Sequence, residues 1–197
     1  MSSLTDEQLL ELCRNGREQA FTHLVLRYKQ ELFHFLARFV GDATAADDLF
    51  QETFFQVHLA IHRFDTSRRF KPWLFAISAN KARDYLRTTG RRSAVSLSAP
   101  MDTAGESRRE FVDLLESSVD RPDEQFGRKE TEELVRNVLG CLAEHHREVL
   151  LLTYFHRFSY KEAADVLKVP VGTVKSRLHT AVSRFAREWK RHYGESE

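Results

Sequence analysis

Apolar residues recur along most of this chain every three or four positions, and few Gly or Pro interrupt them. The first such segment opens at Thr5, where Thr5-x-x-Gln8 is a capping-box pattern, and stops at Asn15-Gly16. A second runs from about Arg17 to Phe39. It carries Phe21, Leu24, Val25, Tyr28, Leu32, Phe35, Leu36 and Phe39 at helical spacing and ends at Gly41-Asp42. A third, from about Thr44 to His62, turns Ala46, Leu49, Phe50, Phe54, Val57 and Ile61 inward. After a loop over residues 64–70, Pro72 suits the first turn of a fourth helix that reaches Arg87. From there to residue 128, Ser, Thr, Gly, Pro and acidic residues dominate, with one short helical patch at Phe111–Leu115. That composition predicts a flexible linker. Helical spacing resumes from about Lys129: Leu134, Val138 and Leu142 share a face, and Val149, Leu150 and Thr153 begin another helix. Ser159-x-x-Glu162, a second capping-box pattern, introduces two further helices separated around Val169-Pro170. The pattern predicts an all-α fold of two small helical domains, residues 1–90 and 129–197, joined by a flexible linker over 91–128.

Composition narrows the class. Hydrophobic residues make up 42% of the 197, enough for a core. Cys13 and Cys141 lie far apart without a CxxC context, so neither a disulfide nor a zinc framework is expected. No apolar run is long enough to span a membrane, and the N-terminus lacks the basic-then-apolar pattern of a secretory signal. A cytoplasmic protein without membrane insertion is expected.

Net charge is only +1, but its distribution is uneven. Residues 1–62 hold 5 basic and 9 acidic side chains, and residues 63–92 hold 9 and 2. Residues 93–167 hold 9 and 15, and residues 168–193 hold 7 and 1. Two basic blocks between acidic segments point to two contacts with one polyanion.

Residues 159–187 have the pattern of a helix-turn-helix. Ala164 is small where two helices must approach, and Leu167 and Val169 suit the turn. Val174, Leu178, Ala181 and Phe185 make one inward stripe on the second helix. Ser176, His179, Thr180, Ser183 and Arg187 point the other way, flanked by Lys175, Arg177 and Arg184. Cations on that face suit phosphates and guanine, and the hydroxyls and imidazole can reach base edges. Lys168 stands where such motifs usually carry Gly; a left-handed backbone there costs Lys roughly 1 kcal/mol.

Ser159-Tyr160-Lys161-Glu162-Ala163-Ala164, followed by Val169-Pro170-Val171-Gly172-Thr173-Val174-Lys175-Ser176-Arg177-Leu178, resembles region 4 of extracytoplasmic-function sigma factors of the sigma-70 family. Arg147-Glu148-Val149-Leu150 is similar to the segment preceding it. Independently, Ala46-Asp47-Asp48-Leu49-Phe50-Gln51-Glu52-Thr53-Phe54 resembles the region 2 signature. Phe70-Lys71-Pro72-Trp73-Leu74-Phe75-Ala76-Ile77-Ser78-Ala79-Asn80, with Asp84-Tyr85-Leu86-Arg87, resembles that region's promoter-melting helix. The resemblance covers nearly all of the chain outside the linker. It departs at Thr180, where many members carry Arg, and at His145-His146, which replaces a Pro-containing turn.

The resemblance implies an alternative sigma factor that binds core RNA polymerase and directs promoter-specific initiation. By it, Asp48, Gln51 and Glu52 face the coiled-coil clamp helices of polymerase, a pairing of acidic with basic surfaces. Ala60, Phe64 and Asn80 would sit near a flipped base of the melted minus-ten element. The residues themselves support single-strand binding: Trp73, Asn80, Arg83 and Arg87 share the outer face of the fourth helix beside the loop cations Arg68, Arg69 and Lys71. Leu74, Phe75, Ser78, Ala82 and Tyr85 would form its inner face. Lys175, Ser176, Arg177, His179, Thr180 and Arg184 would read the minus-thirty-five element. The partners implied are core polymerase, duplex and melted promoter DNA, and an anti-sigma factor.

No cofactor, catalytic residue or metal is expected. His58 and His62 are spaced i, i+4, as zinc ligands can be, but no third ligand accompanies them. His145, His146 and His156 read as incidental. The chain carries no P-loop, GxSxG or HExxH string, so enzymatic activity is not expected. Two other readings stay open. A conventional DNA-binding regulator would share the C-terminal motif but would not need the Asp47–Phe54 and Phe70–Arg87 strings. A decoy that sequesters an anti-sigma factor would not need two basic blocks.

Overall fold

The computed structural model describes residues 4–90 and 125–193, and every regular element among them is helical. They separate into two compact units: residues 4–90 with 161–169, and residues 125–160 with 170–193.

The N-terminal helices are α1 (Asp6–Arg14), α2 (Glu18–Val40), α3 (Ala43–Ala60) and α4 (Phe70–Thr88), with a 3-10 turn at Ile61–Arg63. The capping box at Thr5 forms: the Gln8 N–H donates to Thr5 Oγ1 at 3.3 Å and the Thr5 N–H to Gln8 Oε1 at 2.9 Å. Helix α2 ends at Gly41, left-handed at φ 76. Immediately afterwards Asp42 caps α3 by accepting from the Thr44 and Ala45 amides. These local devices set the short connections that fold α2, α3 and α4 against one another. Their shared core is aromatic: Phe35, Phe39, Phe70 and Phe75 are fully buried, with Leu24, Leu32, Leu36 and Leu74. Rings meet at tilted or edge-on angles, Phe35 with Phe75 at 5.2 Å and Tyr28 with Phe70 at 5.6 Å. Asp6 accepts from both Arg27 and Tyr28, which fixes α1 on α2. Burial, then the Asp6 carboxylate, push the Tyr28 phenol well above its usual range.

The C-terminal helices are α5 (Gln125–Cys141), α6 (Glu144–Leu150), α7 (Tyr160–Leu167) and α8 (Val171–Tyr193). Helix α5 begins at Gln125, inside the segment expected as linker; residues 91–124, with the helical patch at Phe111–Leu115, lie outside the described residues. Helix α6 continues into a π-helical turn, Leu151–Phe155, a widening absent from the sequence expectation. Val138, Leu139, Val149, Leu150, Val174, Ala181 and Phe185 are fully buried here. The inward stripe expected of α8 is therefore the buried one.

Arg147 holds this unit's corner. It is buried, and its guanidinium donates to the Gly140 and Leu142 carbonyls at 3.1 Å each, closing the end of α5. His146 and His156 are both buried, and His145 is exposed.

Candidate nucleic-acid interface

The first candidate surface is built on α4 and the loop before it. Asp65 organises that loop. Its carboxylate accepts from the Ser67 hydroxyl at 2.7 Å and the Ser67 amide at 3.0 Å, which holds the carboxyl below its usual range. The turn leaves Arg68 and Arg69 exposed. Lys71, one residue into α4, pairs with Glu31 at 2.5 Å and lies over the Phe75 ring.

Trp73 is half-buried and lies against Phe64, the rings tilted at 41° with centroids 4.5 Å apart; Phe70 closes the cluster at 5.8 Å. Phe64, 6% exposed, lies beneath that indole rather than open to a base, and Ala60 is half-buried at the end of α3. The floor is pinned from α1: the Arg14 guanidinium donates to the Ile61 carbonyl at 3.1 Å and to the Phe64 carbonyl. Sequence reasoning missed Arg14, because the carbonyls it serves lie about fifty residues away.

Further along α4, Asn80 is exposed and its carbonyl accepts from Arg83. Arg83 also donates through Nε to the Ala79 carbonyl at 3.3 Å, and Arg87 pairs with Asp84 at 2.9 Å. The inner face holds Leu74, Phe75, Ser78 and Ala82 as expected; Ala79 and Leu86 join them, while Tyr85 is only half-buried.

The second surface is the outer face of α3. Asp48, Gln51 and Glu52 are all exposed. Gln51 donates to Asp47 at 2.9 Å, and Glu52 pairs with Lys81 at 3.0 Å. The same face continues into exposed Phe55 and Leu59, which the sequence analysis did not single out. The His58 ring sits edge-on to Phe21 at 5.3 Å.

The third surface is the first half of α8. Lys175, Ser176 and His179 are exposed, and Arg177, Thr180 and Arg184 are half-exposed. Ser176 and Thr180 hydroxyls donate to carbonyls one turn back at 3.1 Å, which presents their oxygens as acceptors. Lys175 lies 6.0 Å over the Tyr160 ring. Arg177 and Arg184 share their field with His145 and His146, whose rings meet at a tilt with centroids 4.1 Å apart. Burial, then the neighbouring His145, Arg184 and Arg177, press His146 down to about 4.

Family models match twice: Sigma-70 region 2 over residues 24–92 and Sigma-70, region 4 over residues 132–185. The RNA polymerase sigma-H factor of Pseudomonas aeruginosa is 34% identical over 177 residues, 89% of each chain. This chain belongs to the extracytoplasmic-function sigma factors of the sigma-70 family. The ECF RNA polymerase sigma-E factors of Haemophilus influenzae and Escherichia coli are 31% and 30% identical, each across 90% of this chain. Among solved structures, CnrH in complex with the cytosolic domain of CnrY superposes with a TM-score of 0.69 at 27% identity, covering 94% of this chain and 97% of that one. The sigma factor RpoE of Bartonella quintana, solved with the anti-sigma factor NepR, shares the fold with a TM-score of 0.63 at 23% identity over 87% of this chain. As a sigma factor, the chain directs promoter-specific transcription initiation by RNA polymerase, with region 2 and a helix-turn-helix region 4 as its working parts.

Proposed function

We propose that the three surfaces divide the work of initiation. The outer face of α3, with Asp48, Gln51 and Glu52, docks on the clamp helices of core polymerase. The α4 surface captures unwound minus-ten bases: Arg68, Arg69, Lys71, Arg83 and Arg87 follow the phosphates, and the Asn80 amide bonds to a flipped base. That base slides against Trp73 and reaches the pocket of Ala60 and Phe64 when the indole swings aside. The first turns of α8 enter the major groove at the minus-thirty-five element, with Lys175, Ser176, Arg177, His179, Thr180 and Arg184 in contact range.

Free energy for melting comes from holding the extruded bases, so the protein performs no chemistry and needs no cofactor. The RpoE structure of Bartonella quintana carries an anti-sigma factor, and by that likeness an anti-sigma factor is expected to cover this chain in the cytoplasm until released. None of the described helices is long and apolar enough to cross a membrane, which accords with that place of action.

The observation that carries the reading is the α4 surface, where the Trp73 indole, in contact with Phe64, and an exposed amide stand among cations. The test is transcription in vitro with purified core polymerase and a promoter-fragment library. Asn80→Ala should abolish specific initiation while leaving core binding intact, and Arg177→Ala should change sequence preference upstream. A chain that binds core but never initiates would favour the decoy. One that binds duplex DNA and ignores core would favour the conventional regulator.

A further inference from the structure

The C-terminal unit brings Cys141, at the end of α5, beside Glu188 and His192, one turn apart near the end of α8. The thiol sulfur, a carboxylate oxygen and an imidazole nitrogen all lie within 4.8 Å of one another. A tetrahedral zinc ion holds such ligand atoms about 3.5 Å apart, given bonds of about 2.0–2.3 Å. Small side-chain rotations close the difference, and Cys141 and His192 are exposed and have room to make them. No other trio of such donors is assembled among the described residues.

The backbone that carries the sulfur is held in place. Arg147 donates to the carbonyls of Gly140 and Leu142, the residues on either side of Cys141. Glu188 also meets Arg191 at 3.7 Å; Arg191 is 78% exposed, and so loose a surface pair is readily exchanged for a metal bond.

We propose that Cys141, Glu188 and His192 form a site for one borderline-soft divalent metal ion of the Zn2+ or Co2+ type. Thiolate, imidazole and carboxylate together suit such ions, and water completes the tetrahedron. On binding, the thiol gives its proton to solvent as the sulfur–metal bond forms, so affinity falls as pH is lowered. Glu188 and His192 lie beyond Arg184, past the residues proposed to read DNA. The ion therefore ties the distal half of the recognition helix to α5 without occupying its reading face.

The full-length chain, freed of metal with a chelator, should be titrated with Co2+ alone. A sulfur-to-cobalt charge-transfer band that saturates at one equivalent and is displaced by Zn2+ is expected. Cys141→Ser should abolish the band, Cys13→Ser should leave it, and Glu188→Gln and His192→Ala should each weaken binding tenfold or more. Zn2+ should also raise the melting temperature of the wild type and not of Cys141→Ser, whose metal-free melting should match the wild type. The absence of a band, its survival in Cys141→Ser, or an isotherm indifferent to both Glu188→Gln and His192→Ala would each overturn the site.

Discussion

Lys168 occupies the left-handed region at φ 56, and the Val169 amide donates back to the Ala164 carbonyl at 3.2 Å, the long hydrogen bond of a Schellman turn. The geometry calls for Gly, and Lys holds it at a cost. Lys168→Gly should raise stability by about 0.5–1 kcal/mol, read as a higher denaturant midpoint at unchanged slope. Ser78 is the converse case: its hydroxyl is fully buried and finds no hydrogen-bond partner among the described residues. Ser78→Ala should stabilise α4 by up to about 1 kcal/mol in the same measurement, since the polar group is removed without stranding another. His146 gives a pH signature. Its folded-state proton affinity is depressed toward about 4 while the unfolded chain titrates near 6.5. Protons therefore favour the unfolded state, and its stabilising share is complete above about pH 6.5 and is lost as pH falls toward 4. Unfolding midpoints followed across that range should fall more steeply for the wild type than for His146→Leu. Equal slopes would show that His146 does not carry the effect.

At the scale of elements, the helices are written locally. Thr5 announces its cap and Gly41-Asp42 a helix stop in the sequence, and the structure has both; Asp42 also caps α3, which the sequence reading placed from about Thr44. Asp42→Ala should cost about 1 kcal/mol in thermal or denaturant unfolding, because two amides at the start of α3 lose their acceptor. The inward stripe of α8 was equally legible, because periodicity reports which face is buried whatever it is buried against. What was not legible depends on distant partners. Nothing near Arg14 marks it as the residue that holds the Ile61 and Phe64 carbonyls, and nothing in Leu151–Phe155 announces a π turn. Exposure is also a tertiary property: the resemblance sets Phe64 near a flipped base, and only the fold shows that Trp73 lies against it.

Across the whole molecule, charge is concentrated where DNA is proposed to lie. The two basic blocks, 9 basic against 2 acidic residues over 63–92 and 7 against 1 over 168–193, contain most of the proposed phosphate contacts. Promoter affinity of the holoenzyme should therefore fall steeply with salt, and Lys175→Gln should reduce the log–log slope by about one if its ammonium meets a phosphate. An unchanged slope would remove Lys175 from the contact set. The division into a minus-ten and a minus-thirty-five reader was visible in the sequence because each signature is a short contiguous string. The sites within each were visible only in part, because stacking and ion pairing join residues from different helices.

The contact of Trp73 with Phe64 has an optical consequence. The chain holds only two tryptophans: Trp73 rests on Phe64, and Trp189 stacks on Phe185 at 5.8 Å. Each therefore sits in the part of the fold whose behaviour matters most, one in the proposed base pocket and one beside the proposed metal site. In Trp189→Phe protein, the emission of Trp73 should shift when a single-stranded minus-ten oligonucleotide displaces the indole from its ring partner. With Trp73 in the role proposed for it, such a shift would make the molecule an unlabelled reporter of promoter opening, readable in real time without a modified base.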